Sequence, residues 1–95
     1  MTEAEKRWLA AICEHGCICC KALGRPWTPA EPHHILMGGR RMGEMFTLPL
    51  CPGHHRSGRY DDEFVSRHPY RHRWVKMFGV ELDLLVKLQE EIGVA

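Results

Sequence analysis

Apolar residues recur at helical spacing in two regions of the chain. Residues 3–14 carry one such stripe, and Gly16 is placed to end the predicted helix. After Pro69 the helical spacing returns, and Gly79 divides it, so we expect two C-terminal helices within residues 70–92. The apolar positions are Trp8, Leu9, Ile12 and Cys13 in the first region, and Trp74, Val75, Phe78, Leu82, Leu84, Leu85, Leu88 and Ile92 in the second. We expect the last helix to cover the core rather than form a dimer face.

The middle of the chain has shorter elements. Residues 17–21 predict a compact turn, and the prolines that follow predict a loop up to His33. Residues 33–37 and 46–50 read as two extended segments, which predict a hairpin with a long connection. Pro52 can open a helix without losing a hydrogen bond, and Gly58 soon weakens that helix.

The chain has 95 residues, which is one small domain whose hydrophobic core alone gives thin stability. Five cysteines and seven histidines offer ligands for a metal ion, which would add the stability that the small core lacks. An odd number of cysteines without a signal peptide argues against a disulfide framework and favours zinc. No stretch is long and apolar enough for a transmembrane span, so we expect a cytoplasmic protein without a membrane partner.

Two short ligand pairs predict a structural zinc site. Cys17 and Cys20 flank a tight turn, and Cys51 and His54 have the same short spacing. Together they supply the three thiolates and one imidazole of a Cys3His site. Cys19 instead of Cys20 is the alternative ligand at this point, and a buried set of apolar cysteines is the alternative to zinc. Vicinal Cys19 and Cys20 also leave a redox or zinc-sensing role open.

Two histidine doublets predict a second metal site. Neighbouring side chains on an extended segment point to opposite faces, so His33 and His34 are expected to have different roles. If His54 faces the zinc, His55 lies about 100° away around the helix and faces the hairpin. A metal open to solvent there suits phosphodiester hydrolysis, and a free neutral imidazole beside it can take a proton from water.

Positive charge is concentrated in the centre of the chain. Residues 40–76 hold eight basic and four acidic side chains, although the whole chain has a net charge of only +1. This segment favours contact with a polyanion. Guanidinium groups are bidentate donors to phosphate, and the predicted DNA contacts are Arg40, Arg41, Arg56 and Arg59.

Several motifs together resemble the HNH endonuclease superfamily, and most closely its phage recombination-enhancement branch, the RecA-dependent nucleases. They are Cys17-x2-Cys20, His33-His34-Ile35, Gly38-Gly39-Arg40-Arg41, Leu48-Pro49-Leu50-Cys51-Pro52-Gly53-His54-His55 and Phe78-Gly79-Val80-Glu81. The resemblance runs from about residue 16 to 85. It implies an α+β fold with a zinc-stabilised, treble-clef-like ββα-metal core. We expect one domain over 1–95, with the core at about 16–68 and flanking helices at about 3–15 and 70–92.

The resemblance also implies roles for individual residues. His33 matches the first ligand of a catalytic divalent metal, such as Mg²⁺ or Mn²⁺, His34 the general base, and His55 the ligand on the helix. The family often has Asn or His before the Leu-Cys element to orient the base, whereas this chain has Glu44 to Thr47 there. The third metal ligand is open between Glu44, His68 and His72.

The function expected from these features is a metal-dependent DNA endonuclease of phage or prophage origin, linked to DNA recombination or processing. Relatives imply a recombinase filament as a further partner. The alternative is a noncatalytic zinc-stabilised module that binds DNA or protein and whose second metal site has decayed. The departure at Glu44 to Thr47 motivates that alternative.

Overall fold

The computed structural model describes residues 1–93, so the last two residues of the predicted domain lie outside the described residues. Within this range the chain forms small antiparallel sheets surrounded by helices. The elements are α1 (Glu3–His15), α2 (Ile18–Ala22), β1 (Glu31–His34), β2 (Leu36–Met37), β3 (Arg40–Arg41), β4 (Thr47–Leu50), α3 (Pro52–His55), α4 (Arg71–Phe78) and α5 (Glu81–Ile92).

The first helix begins and ends as its sequence predicts. Thr2 caps α1 by accepting a hydrogen bond from the Glu5 amide, and the Glu5 carboxylate accepts one from the Thr2 amide. Gly16 ends the helix with a φ of +82°, a conformation that glycine adopts without strain. The apolar stripe buries Trp8 and Ile12.

The prediction of a turn at residues 17–21 is wrong, because these residues form the short helix α2. The thiol of Cys17 lies at the N-cap, and its Sγ accepts a hydrogen bond from the Cys20 amide at 3.4 Å. The sulfur satisfies a free amide at the start of the helix in the way that a capping hydroxyl does. Helix propensities do not describe this kind of cap. The proline-rich stretch after α2 is a loop, as predicted, but β1 begins at Glu31 and so starts two residues before the predicted end of that loop.

The predicted hairpin is confirmed. β1 pairs with β4 in antiparallel register, with His33 opposite Leu48 and His34 opposite Thr47. The first extended segment is interrupted at Ile35, after which β2 pairs with β3 as a small second ribbon. Ile35 lies at the junction, where its amide donates to Phe46 and its carbonyl accepts from Met42.

The helices after the hairpin also follow the sequence pattern. Pro52 opens α3, which is only four residues long, and Gly79 separates α4 from α5 with a φ of +113°. Leu85 and Leu88 of α5 are buried in the core, which is the covering role predicted for this helix.

The hydrophobic core is centred on β4, whose four residues are all buried. Trp8 from α1 and Trp74 from α4 are the two largest side chains in it. The indole Nε1–H of Trp8 donates to Thr47 Oγ1 at 2.9 Å, and the Thr47 hydroxyl donates to the Glu44 carbonyl. Buried polar groups are costly unless they are paired, so this chain of bonds fixes β4 against α1. No helix within residues 1–93 is long and apolar enough to cross a membrane.

Candidate metal centres

The structure brings the four predicted zinc ligands together. Cys17 is the N-cap of α2 and Cys20 is the third residue of that helix. Cys51 is the N-cap of α3, and His54 is its third residue. All four are buried, and their ligand atoms lie within 4.8 Å of one another. The Sγ atoms of Cys20 and Cys51 are 3.8 Å apart. A tetrahedron with zinc–sulfur bonds of ~2.3 Å has edges of ~3.8 Å, so this Cys3His cluster can hold a zinc ion.

The orientation of His54 fits the role of a ligand. Its Nε2 lies 2.8 Å from the Glu63 carbonyl and donates to it, which leaves Nδ1 to face the three thiols. The Phe64 ring stacks on the imidazole with centroids 4.4 Å apart. Gly53 leaves space for that ring, since a Cβ at this position would come within 2.6 Å of it. Such outer contacts fix the tautomer and orientation of a metal-bound histidine.

Cys19 lies outside the Cys3His cluster, although it is adjacent to Cys20. Its side chain is buried in the hydrophobic core, and this burial raises the pKa of the Cys19 thiol. The geometry therefore selects Cys20 over Cys19.

Three histidines form a second cluster, which we call the three-histidine cluster. His33 comes from β1, His55 from the end of α3, and His68 from the segment before α4. Their ligand atoms also lie within 4.8 Å of one another, and ring centroids are 5.1 to 5.4 Å apart. The His68 amide donates to the His55 carbonyl at 2.8 Å, which ties the segment that carries His68 to α3.

His33 is held by a carboxylate from the far end of the chain. Its Nε2 lies 2.5 Å from Glu81 Oε2, and its Nδ1 is buried without a hydrogen-bond partner among residues 1–93. Arg67 donates to the other Glu81 oxygen at 3.0 Å. Burial acts to raise the pKa of Glu81, but the bonds from His33 and Arg67 outweigh it and lower that pKa to about 2. Because an ionised carboxylate only accepts, Nε2 of His33 donates this bond, which leaves Nδ1 as the free ring nitrogen.

His55 has a similar partner. Its Nδ1 lies 2.6 Å from Glu31 Oε1, which leaves Nε2 as the free ring nitrogen. Arg56 binds the same carboxylate in a bidentate manner through Nε and Nη2. Burial lowers the pKa of both His55 and His68, which favours the neutral form that binds metals. In a histidine metal site, one ring nitrogen of each ligand is free for the metal, and the other is often bound to a carboxylate. The three-histidine cluster has these features at His33 and His55.

His34 faces the same site without joining the cluster. It lines a concavity of about 300 Å³ together with the three clustered histidines and Arg41. Its Nε2 lies 3.0 Å from Glu44 Oε2, so Glu44 is bound to His34. Nδ1 of His34 is therefore the ring nitrogen left free to accept a proton.

The three residues predicted as candidates for the third metal ligand lie in different places. His68 lies in the three-histidine cluster. Glu44 contacts His34 instead, and His72 is exposed and lines a different concavity beside α4. Sequence reasoning missed Glu31 and Glu81. Glu31 is two residues before His33 on the same strand, and this spacing could have placed its carboxylate on the same face as His33. Nothing in the sequence links Glu81 to this site.

The four predicted phosphate contacts have different surroundings. Arg40 and Arg41 are exposed on β3 and form no ion pair within residues 1–93, and Arg41 lines the concavity. Arg56 is already bound to Glu31. Arg59 pairs with Asp61 and lies 4.0 Å over the Phe64 ring. Arg41 thus offers a free guanidinium in the same concavity as the histidines.

A buried Cys3His cluster and an open three-histidine cluster, joined by one hairpin and one short helix, define a small α+β protein with two candidate metal sites. A family model described as recombination enhancement, RecA-dependent nuclease matches residues 1–92. The chain therefore belongs to this family, whose name implies a nuclease that acts in recombination. Comparison with curated proteins gives no significant match.

Proposed function

We propose that this chain is a DNA endonuclease that hydrolyses phosphodiester bonds by the single-metal mechanism of HNH enzymes. The observation that carries the proposal is the three-histidine cluster, whose ligand atoms lie within 4.8 Å of one another. The buried Nδ1 of His33 has no hydrogen-bond partner among residues 1–93, and His34 lines the same concavity. Family membership supports nuclease activity. The antiparallel hairpin followed by α3, with one histidine on a strand and one on the helix, supports a ββα-metal, treble-clef-like core.

The two metal sites have separate roles in this proposal. Cys17, Cys20, Cys51 and His54 hold a structural zinc that joins α2 to α3. His33, His55 and His68 would hold a divalent ion, for which three imidazoles favour a transition metal such as Mn²⁺, Co²⁺ or Ni²⁺ over Mg²⁺. When bound, the ion would stabilise negative charge on the phosphate and on the leaving oxygen. We propose one domain over 1–95, with the core at about 16–68 and the N- and C-terminal helices closing over it.

The remaining side chains of the concavity supply the other parts of the reaction. His34 accepts the proton of the attacking water at Nδ1, and the bond to Glu44 holds the imidazole in the tautomer that leaves this nitrogen free. Glu44 thereby takes the orienting role that Asn or His has in relatives. Arg41 contacts the phosphate of the bound strand, with Arg40 beside it. Arg56 and Arg59 contact phosphate only by exchanging their carboxylate partners for it.

Plasmid nicking tests the proposal. The purified protein is incubated with supercoiled DNA and Mg²⁺, Mn²⁺, Co²⁺ or Ni²⁺, beside His34→Ala and the matched control His72→Ala, which alters an exposed histidine outside the cluster. We expect nicking by the parent and by His72→Ala, and a loss of about 10²- to 10⁴-fold in His34→Ala.

The same assay with a recombinase filament on the DNA tests the second partner, since the family name includes dependence on one. Cleavage that appears only with the filament supports a nuclease that needs the partner to present its substrate. No cleavage under either condition, together with salt-sensitive DNA binding and one zinc per chain, supports the noncatalytic binding module instead.

A further inference from the structure

A second concavity lies beside the three-histidine cluster and is the larger of the two. It has a volume of about 690 Å³ and is formed by Pro69, the start of α4 and Tyr60. His68, which lines the concavity of the three-histidine cluster, directly precedes Pro69, which lines this one. The side chains that line it are Tyr60, Pro69, Tyr70, Arg71, His72, Arg73 and Lys76, and none of them is acidic.

Free positive charge lines this concavity. Arg71, Arg73 and Lys76 are exposed and form no ion pair within the described part of the chain. The three basic residues directly before them in the sequence, Arg56, Arg59 and Arg67, are bound to carboxylates, whereas Arg40 and Arg41 are also unpaired within residues 1–93. The sequence contains no acidic residue between Glu63 and Glu81. Uncompensated cations in a concave surface attract a polyanion.

Two exposed tyrosines add a surface for flat rings. Tyr60 is 59% exposed and Tyr70 is 37% exposed, and their ring centroids lie 4.9 Å apart at an interplanar angle of 76°. Exposed aromatic faces next to cations are the means by which proteins bind single strands, because unpaired bases stack on the rings while the cations follow the phosphates. Bases in a duplex are stacked on one another and do not offer their faces.

We propose that this concavity, which we call the tyrosine groove, binds a single-stranded DNA segment that leads into the three-histidine cluster. The inference rests on the proposed function, because it assigns a binding site to the DNA strand next to the scissile phosphate. In the bound complex Arg71, Arg73 and Lys76 contact successive phosphates, and Tyr60 stacks on a base.

The experiment measures the binding of fluorescein-labelled oligo(dT) and of a duplex of equal length by anisotropy, at several salt concentrations. The full chain carries its zinc, and no other divalent metal is added, so the DNA stays uncut. The test variants are Tyr60→Leu and the triple variant Arg71→Gln/Arg73→Gln/Lys76→Gln. The matched control is Arg7→Gln/Lys87→Gln, which removes two exposed cations from α1 and α5. Circular dichroism checks that every variant is folded.

We expect the triple variant to bind oligo(dT) more weakly and to lower the slope of log K against log salt by about 2, since each lost phosphate contact changes it by ~0.7. Tyr60→Leu is expected to weaken oligo(dT) binding about tenfold and to change duplex binding little. Binding by the control should stay close to that of the parent, apart from a small uniform charge effect. The proposal is overturned if the parent does not bind oligo(dT), if the triple variant matches the control, or if Tyr60→Leu affects both DNAs equally.

Plasmid nicking by the same proteins separates the two proposals. A parent that nicks DNA while the groove variants bind oligo(dT) normally overturns the tyrosine groove and leaves the nuclease intact. A parent that never nicks while the groove variants lose oligo(dT) binding supports the groove and contradicts the nuclease.

Discussion

His33 Nε2 and Glu81 Oε2 lie 2.5 Å apart, although 48 residues separate them in the sequence. The contact joins the first strand of the hairpin to the first turn of the last helix. Arg67 binds the other oxygen of the same carboxylate, so the charge on Glu81 is balanced inside the protein. Through this contact the C-terminal helix determines the orientation of a histidine in the candidate catalytic site.

Substitution of Glu81 tests this arrangement. Glu81→Gln preserves the shape of the side chain but removes the charge that polarises His33 and balances Arg67. Loss of an outer carboxylate weakens metal binding by about 10- to 100-fold. We expect that decrease in Mn²⁺ affinity, measured from free Mn²⁺ by electron paramagnetic resonance. Asp83→Asn on the exposed side of the same helix should bind Mn²⁺ as the parent does, and equal affinities in all three proteins would disprove the role of Glu81.

Glu44 has a different expected effect, because it contacts His34 and not the three-histidine cluster. Glu44→Gln should lower kcat for nicking about tenfold, because His34 is then less well oriented. This loss is only a part of the total rate enhancement that general base catalysis contributes. Mn²⁺ affinity and KM should not change. Glu63→Gln is the control, because its exposed side chain pairs with Arg25 and does not line the concavity that contains His34. A fall in metal affinity with unchanged kcat would place Glu44 among the metal ligands instead.

Adjacent cysteines provide a matched test of the zinc site. Cys20→Ser removes a ligand and is expected to abolish zinc binding and to leave the chain largely unfolded, because structural zinc contributes directly to folding. Cys19→Ser changes a neighbouring buried thiol outside the cluster and should retain one zinc per chain. Native mass spectrometry gives the stoichiometry and circular dichroism the fold. Zinc retained by Cys20→Ser and lost by Cys19→Ser would reverse the assignment.

Thr47 connects the core to the candidate base. Its hydroxyl accepts from Trp8 and donates to the Glu44 carbonyl. Thr47→Val keeps the volume but leaves the Trp8 indole N–H unpaired, so the free energy of unfolding should fall by about 1–3 kcal/mol in urea denaturation. In a Trp8→Phe background that N–H is absent, and the same substitution should cost less. Equal costs in both backgrounds would show that the Trp8 bond contributes nothing.

The features predicted from the sequence are those that depend on short spacing. Helical periodicity predicted α1, α4 and α5. His33 and His34 are neighbours on a strand and so point to opposite faces, which predicted that they have different partners. Packing between distant segments produced the rest. Glu81 reaches His33 only because α5 folds back over β4, and the ion pair of Arg56 depends on strand β1. The sulfur cap of α2 was missed because it is a property of one thiol and not of the local pattern.

A crystal of the protein soaked in Mn²⁺ tests the central claim most directly, through anomalous diffraction. The account predicts one Mn²⁺ peak within bonding distance of His33 Nδ1, His55 Nε2 and a ring nitrogen of His68, and a separate zinc peak among Cys17, Cys20, Cys51 and His54. An Mn²⁺ peak away from these three rings, or no peak there at a concentration that supports nicking, would contradict it.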